Sequence, residues 1–305
     1  MNTPTIMVPL DGSKFAESAL PLALGMAQRL DGRISVVAVA PKRSRKRGRA
    51  VLTVSAEDLN RADAKRSEYL DSIVRRIQEV SSVQVLCTVL FGAAAKELVK
   101  YSTVHHPEMI VMSTHGRGPL SRAWIGSVAD WVVRHASMPV LLVRPEEGVE
   151  PQLTERRNFR EVLVALDGSD RAEESLRWVK AIGAENTEYT LVRVARDSLP
   201  VWTVDTTTAP FDIRDYQKAG YVEADEYLRQ AQSIVNNGRK NATTVVVEGV
   251  PAAVGILKTA SERDADLIAI TTHGRGGLPR LILGSVADKV VRASPVPVLV
   301  VRPQR

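Results

Sequence analysis

Cysteine is almost absent from this chain, with Cys87 alone among 305 residues. A single thiol closes no intrachain disulfide, and a cytoplasmic setting is expected. No stretch approaches eighteen unbroken apolar residues, so no membrane-spanning helix is expected. The opening Met1-Asn2-Thr3-Pro4 also lacks the basic and then apolar run of a secretory leader. A Walker lysine motif is missing, which argues against fast nucleotide hydrolysis. His105, His106 and Cys87 have no metal-ligand company in the sequence, so no zinc site is expected.

What remains is the composition of an ordinary globular chain, 44% apolar and 25% charged. The net charge of +6 is concentrated in the run Lys42 to Arg49. That run reads as a solvated loop rather than a nucleic-acid or lipid contact. It has no counterpart later in the chain, where Arg196 to Asp215 is rich in Thr, Pro and Asp.

The strongest signal is a repeat. Thr114-His115-Gly116-Arg117-Gly118 and Gly126-Ser127-Val128-Ala129-Asp130 return as Thr272-His273-Gly274-Arg275-Gly276 and Gly284-Ser285-Val286-Ala287-Asp288. Leu10-Asp11-Gly12-Ser13 returns as Leu166-Asp167-Gly168-Ser169, and the Pro139 to Pro145 block returns at Pro297 to Pro303. A repeat of this length means two whole domains rather than a solenoid, and the sequence divides them at 1–147 and 158–305. Pro, Glu, Gln and Arg interrupt the apolar pattern between them.

Within each half, short Val, Ile and Leu runs alternate with helical periodicity. Strands are expected at Thr5–Leu10, Ile34–Ala40, Val83–Leu90, Met109–Ser113 and Val140–Val143, and helices at Phe15–Leu30, Glu57–Val80, Ala94–Tyr101 and Ser127–His135. The second half repeats the order, with strands near Glu161–Leu166, Thr190–Ala195, Thr243–Val247, Leu267–Thr271 and Val298–Val301. Continuous apolar strands imply burial on both faces, hence an α/β fold with a parallel sheet and right-handed crossovers.

Ligands of such sheets bind beyond the carboxyl ends of the strands, where the strand order reverses. Asp11 follows the first strand and Gly116 the fourth, which become neighbours if the chain winds outward and then returns. Glycine lets backbone N–H groups approach phosphate oxygens, and Gly126-Ser127 opens a helix whose first amides favour an anion. The Ser127 hydroxyl is available to cap that helix or to donate to a phosphate. A carboxylate such as Asp11 or Asp167 can accept from an adenine amino group or a ribose hydroxyl. Asp-Gly-Ser after a strand is equally an ordinary turn with an N-cap. Both readings stand, because duplication repeats structural residues as faithfully as functional ones. His115 and His273 lack a repeated partner carboxylate or nucleophile, so they do not suggest acid–base catalysis. Trp124 and Trp131 read as packing residues.

A strand ending in Asp-Gly-Ser, a loop with Gly116 or Gly274, nine residues, then Gly-Ser and a closing Pro-Val-Leu strand together resemble the universal stress proteins across essentially the whole chain. The resemblance implies two tandem flavodoxin-like domains of the adenine nucleotide alpha hydrolase type, each a five-stranded parallel sheet flanked by helices. It also implies bound ATP, with or without Mg as a companion ion. Carried over by position, Asp11 and Val39 would address the base of the first half with Pro9 beside them, and Met112 would also contact the nucleotide. Gly116, Arg117, Gly126, Ser127 and Val128 would address its phosphates. The corresponding second-half residues are Asp167, Val194, Gly274, Arg275, Gly284, Ser285 and Val286. Ser113 and Thr271 stand where the family motif has its first glycine, and Ala165 stands opposite Pro9. The resemblance further implies that Val140–Val143 and Val298–Val301 mediate pairing of the two halves or of two chains, and that the chain acts through a protein partner. A nucleotide-dependent stress-response switch, a slow ATP-hydrolysing enzyme and a nucleotide-free interaction module are the functions that follow.

Overall fold

The structure is a computed structural model that describes residues 3–41, 56–114, 125–145, 148–153, 158–195, 213–236, 241–272 and 283–303. It divides into two compact units, Met1–Asn158 and Phe159–Arg305.

The first unit runs β1 (Thr5–Leu10), α1 (Lys14–Glu17), α2 (Leu20–Arg29), β2 (Arg33–Ala40), α3 (Ala56–Val80), β3 (Val85–Phe91), α4 (Ala94–His105), β4 (Met109–Ser113), α5 (Ser127–His135) and β5 (Val140–Val143). Its strands lie in the order β3-β2-β1-β4-β5 and every pair is parallel. The second unit runs β6 (Glu161–Ala165), α6 (Asp170–Ile182), β7 (Glu188–Val194), α7 (Ile213–Asn236), β8 (Ala242–Val247), α8 (Ala252–Glu262), β9 (Leu267–Thr271), α9 (Ser285–Ala293) and β10 (Val298–Val301). Its order is β8-β7-β6-β9-β10, again parallel. Each unit is therefore a five-stranded flavodoxin-like α/β sandwich.

Strand composition explains this arrangement. All residues of β4, β5, β9 and β10 are buried, as expected for strands covered on both faces. The cover is visible on β7, where side chains alternate between faces. Arg193 reaches Glu223 and Tyr227 on α7, while Val194 lies under Gly255 of α8, so α7 and α8 cover opposite faces. Helices α6 and α7 pack together, as do α8 and α9.

The expected elements are all present; besides one-residue shifts at several ends and a β7 that begins two residues early at Glu188, three differences stand out. The helix expected over Phe15–Leu30 is broken into α1 and α2, with Pro21 in the first turn of α2. A proline there has no N–H for the carbonyl of Glu17, and its ring crowds that carbonyl. In the second half Arg177 occupies the equivalent position, and α6 continues unbroken from Asp170 to Ile182. The helix expected to end at Tyr101 extends one turn further, to His105, and stops where His106 takes a left-handed conformation with φ 45°. The third strand starts at Val85 rather than Val83.

Candidate functional site

The strand order places the reversal between β1 and β4. From β1 the chain adds β2 and β3 on one side, then returns to add β4 and β5 on the other. Asp11 and Thr114, the residues that leave β1 and β4, thus sit on the same carboxyl edge of neighbouring strands. Asp167 and Thr272 repeat this after β6 and β9.

At the β1 exit, Asp-Gly-Ser forms a turn with an N-cap. Asp11 Oδ1 accepts from the Ser13 amide at 2.9 Å and the Ser13 hydroxyl at 2.6 Å. Ser13 Oγ in turn accepts from the Ala16 amide and caps α1. Gly12 between them has φ 86°, a left-handed conformation that glycine adopts at little cost. The second half copies this, with Asp167 bound to Ser169 at 3.1 and 2.7 Å, Ser169 capping α6, and Gly168 at φ 84°. The turn fixes each aspartate at the sheet edge, with Asp11 exposed and Asp167 half-buried.

At the β4 exit, the chain leaves and returns at one point. The Thr114 amide donates to Val143 on β5, and the Gly126 amide donates to the Thr114 carbonyl at 2.7 Å. Thr272 repeats both bonds, with Val301 and with Gly284 at 2.9 Å. These bonds hold the start of α5 beside the end of β4, and the start of α9 beside the end of β9. Gly116, Arg117, Gly274 and Arg275 fall between the pinned ends and lie outside the described residues, as do His115, His273, Trp124 and the run Lys42 to Arg49.

Helices α5 and α9 begin without a side-chain cap, and Gly126 and Gly284 are their N-cap residues. Ser127 and Ser285 are thus the first helical residues rather than caps, which corrects the capping role expected for Ser127. Both serines are exposed. The helix itself offers no acceptor to the amides of residues 127–129 and 285–287, and the dipole adds positive potential there. A Cβ on Gly284 would stand 2.8 Å from the Thr272 carbonyl oxygen, so the close return of the chain requires glycine.

Strand register locates the remaining candidates. Pro9 pairs with Val37, and Val39 lies two residues further along β2. Ala165 pairs with Val192, and Val194 lies two residues further along β7, so Val39 and Val194 are equivalent. Both are half-exposed at the ends of otherwise buried strands. Val194 faces α8, the side on which α9 begins. Met112 is buried near the end of β4. Pro9, Asp11, Val39, Met112, Gly126, Ser127 and Val128 therefore share one sheet edge. Asp167, Val194, Gly284, Ser285 and Val286 share the equivalent edge within the second unit.

Thr114 and Thr272 are the residues that sequence reasoning passed over. Both are buried, and their backbone pins the loop. Their appearance in both repeats was a signal, but backbone roles leave no mark on side-chain chemistry. Trp131 also departs from its expected packing role: it is 37% exposed and stacks on His135 of its own helix at 3.8 Å. Among the described residues no group of His, Cys, Asp and Glu is arranged to hold a metal, and no helix is long and apolar enough to cross a membrane.

Comparison with known proteins gives a consistent result. The sequence profile of the Universal stress protein family matches residues 2–144 and again 158–302. A universal stress protein of Mycobacterium tuberculosis is 30% identical over 222 residues, covering 72% of this chain and 70% of the relative. A second from that organism is 26% identical over 316 residues, covering 97% and 94%. A universal stress protein structure from Archaeoglobus fulgidus superposes with a TM-score of 0.68 at 22% identity, covering 98% of this chain and 96% of that one.

Proposed function

The chain belongs to the universal stress protein family, and from that membership we propose that each half binds one adenine nucleotide, ATP in the first instance, as a switch read by a protein partner in the cytoplasm. The observation that carries this reading is the pair of glycine-capped helix starts, held beside an aspartate turn at the point where each sheet reverses its order. Amides of Ser127, Val128 and Ala129, and of their second-half equivalents, would receive the phosphates. Asp11 and Asp167 would address the base or ribose, with Val39 and Val194 against the ring. Gly116, Arg117, Gly274 and Arg275 would complete the phosphate contacts, with Mg as the companion ion. The aspartates are already committed to turns, and no described side chain is aimed as a water-activating base. Binding without rapid turnover is the chemistry these groups support. The closing strands β5 and β10 are the surfaces proposed for pairing between halves or chains.

Calorimetric titration of ATP into the full chain tests this, with Ser127→Asp and Ser285→Asp variants beside the wild type. Aspartate is favourable at the start of a helix, so α5 and α9 persist, while its charge repels a phosphate. Wild type is expected to bind two equivalents and each variant one. No binding by wild type refutes the reading, and two equivalents in both variants refute the placement. Phosphate release measured in the same samples separates a switch from an enzyme.

A further inference from the structure

The two halves share backbone geometry at the site but differ in charge beside it. Lys14, the first residue of α1, corresponds to Asp170, the first residue of α6. On the long helices, Lys65 corresponds to Glu223 and Arg76 to Ile234. In the first half, Glu17 is buried and accepts from Arg76 at 2.7 Å and from the Tyr69 hydroxyl at 3.2 Å, with Lys14 at 3.9 Å; Lys14 also lies 3.6 Å from the exposed Glu150 carboxylate. Its second-half counterpart, Glu173, lacks a cation at the Arg76 position, and its carboxyl is pushed up by burial and then by Asp170. One change runs the other way: Arg193 replaces Ala38, but its guanidinium binds Glu223 at 2.8 Å and stacks over Tyr227 at 5.3 Å. Arg171 and Glu174, which replace Phe15 and Ser18, cancel.

These groups act on the candidate site rather than on a remote surface. Lys14 and Asp170 each lie three residues beyond the site aspartate, across one turn. The Tyr69 hydroxyl is raised by burial, then by Glu17, and also by the charge of Asp11. The Tyr227 hydroxyl is raised by burial, then by Glu173, Asp167 and Asp170. Each tyrosine thus feels both the site aspartate and the neighbouring charges. A nucleotide at the same edge would lie in that field as well, and salt screens it over about 8 Å at physiological ionic strength.

We propose that the two sites prefer nucleotides of different charge, with the first-half site favouring ATP over AMP and the second-half site not, and that Lys14 and Asp170 determine this difference. The proposal rests on the nucleotide reading above. Amides and glycines recur in both halves, so the charges beside them distinguish the two sites, and Lys14 against Asp170 is the reversal that directly follows the aspartate turn.

The full chain carrying Ser285→Asp reports the first site alone, and the chain carrying Ser127→Asp reports the second. AMP, ADP and ATP are titrated into each without divalent ions, at low and moderate salt. In the first site affinity is expected to rise roughly tenfold from AMP to ATP at low salt, and less at higher salt. In the second site it is expected to rise by less than about twofold or to fall. Adding Asp170→Lys to the Ser127→Asp chain should restore the rise, and adding Lys14→Asp to the Ser285→Asp chain should abolish it. Each exchange places a residue that the other half already carries at that position, and thermal melting verifies that the fold is kept. Equal ATP-to-AMP ratios at the two sites, or ratios unmoved by the exchanges, overturn the proposal while leaving nucleotide binding intact. No binding of any nucleotide by wild type overturns both.

Discussion

At the scale of single residues, the site is built from glycines and serines whose roles are geometric. Gly284 has the chain's own carbonyl where a Cβ would go, at 2.8 Å. Gly284→Ala is therefore expected to cost about 1–3 kcal/mol in chemical denaturation, since the obstructing atom is backbone and cannot rotate away. Gly220, inside α7, has nothing within 4 Å of its missing Cβ. Gly220→Ala should raise stability by about 0.5–1 kcal/mol, because alanine gives up less backbone freedom on entering a helix. The pair makes a control, with the same substitution and opposite signs in one assay. Glu161 offers a pH signature. Its carboxyl is pushed up by burial, and also by Glu188 and Asp266, against a hydrogen bond of 2.5 Å from Thr190. A folded-state pKa above the unfolded one means the native state holds the proton more tightly. Its contribution is then fully present below the ordinary carboxylate range and is lost as pH rises through the raised value. Glu161→Gln keeps an acceptor for Thr190 and removes the charge. Its stability relative to wild type should therefore be more favourable at about pH 7 than at about pH 4 by urea unfolding.

At the scale of elements, the two halves perform a substitution experiment on one helix. Pro21 stands where Arg177 stands, and the segment is broken in one half and continuous in the other. Pro21→Ala is expected to join α1 to α2 through Ser18 and Ala19, which backbone chemical shifts of those two residues would record. Unchanged shifts would place the cause of the break in the Ser18 side chain, whose hydroxyl donates to the Phe15 carbonyl at 2.7 Å. Helices α5 and α9 differ from α1 and α6 in a related way. Serine caps α1 and α6 with its own oxygen, whereas glycine leads α5 and α9 and leaves their first amides for another acceptor. Repeated i to i+4 bonds, Arg134 to Asp130 and Arg292 to Asp288, hold the exposed sides of α5 and α9.

At the scale of the whole molecule, each unit has its own buried sheet and its own candidate site, so damage to one should be separable from the other. Leu163, at the centre of β6, is fully buried. Leu163→Ala leaves a cavity there and is expected to cost about 2–5 kcal/mol. Under mild denaturant, ATP stoichiometry measured by calorimetry should fall from two towards one as the second unit is lost first. Simultaneous loss of both sites would mean that the units unfold as one.

Much of this was legible in the sequence, because each legible part depended on local pattern. Apolar runs bounded by turn residues placed Thr5–Leu10, Met109–Ser113, Val140–Val143, Leu267–Thr271 and Val298–Val301 at their observed limits. Burial on both faces is written into composition, and a duplicated motif needs no structure to be seen. Helix ends were less legible, since Tyr101 and His105 suit a helix equally and the stop comes from His106 turning left-handed. The identity of the helix cap was hidden as well, because Gly126 and Ser127 are both acceptable caps and only the bond from Gly126 to Thr114 selects between them. The sequence by itself determined two α/β repeats, their parallel strands and the residues that leave each strand, because periodicity and turn chemistry act over a few neighbouring positions. Tertiary structure alone decided that β1 and β4 adjoin and that the aspartate turn and the helix start share an edge. Those relations join residues roughly a hundred positions apart, and only the packing of the sheet brings them together.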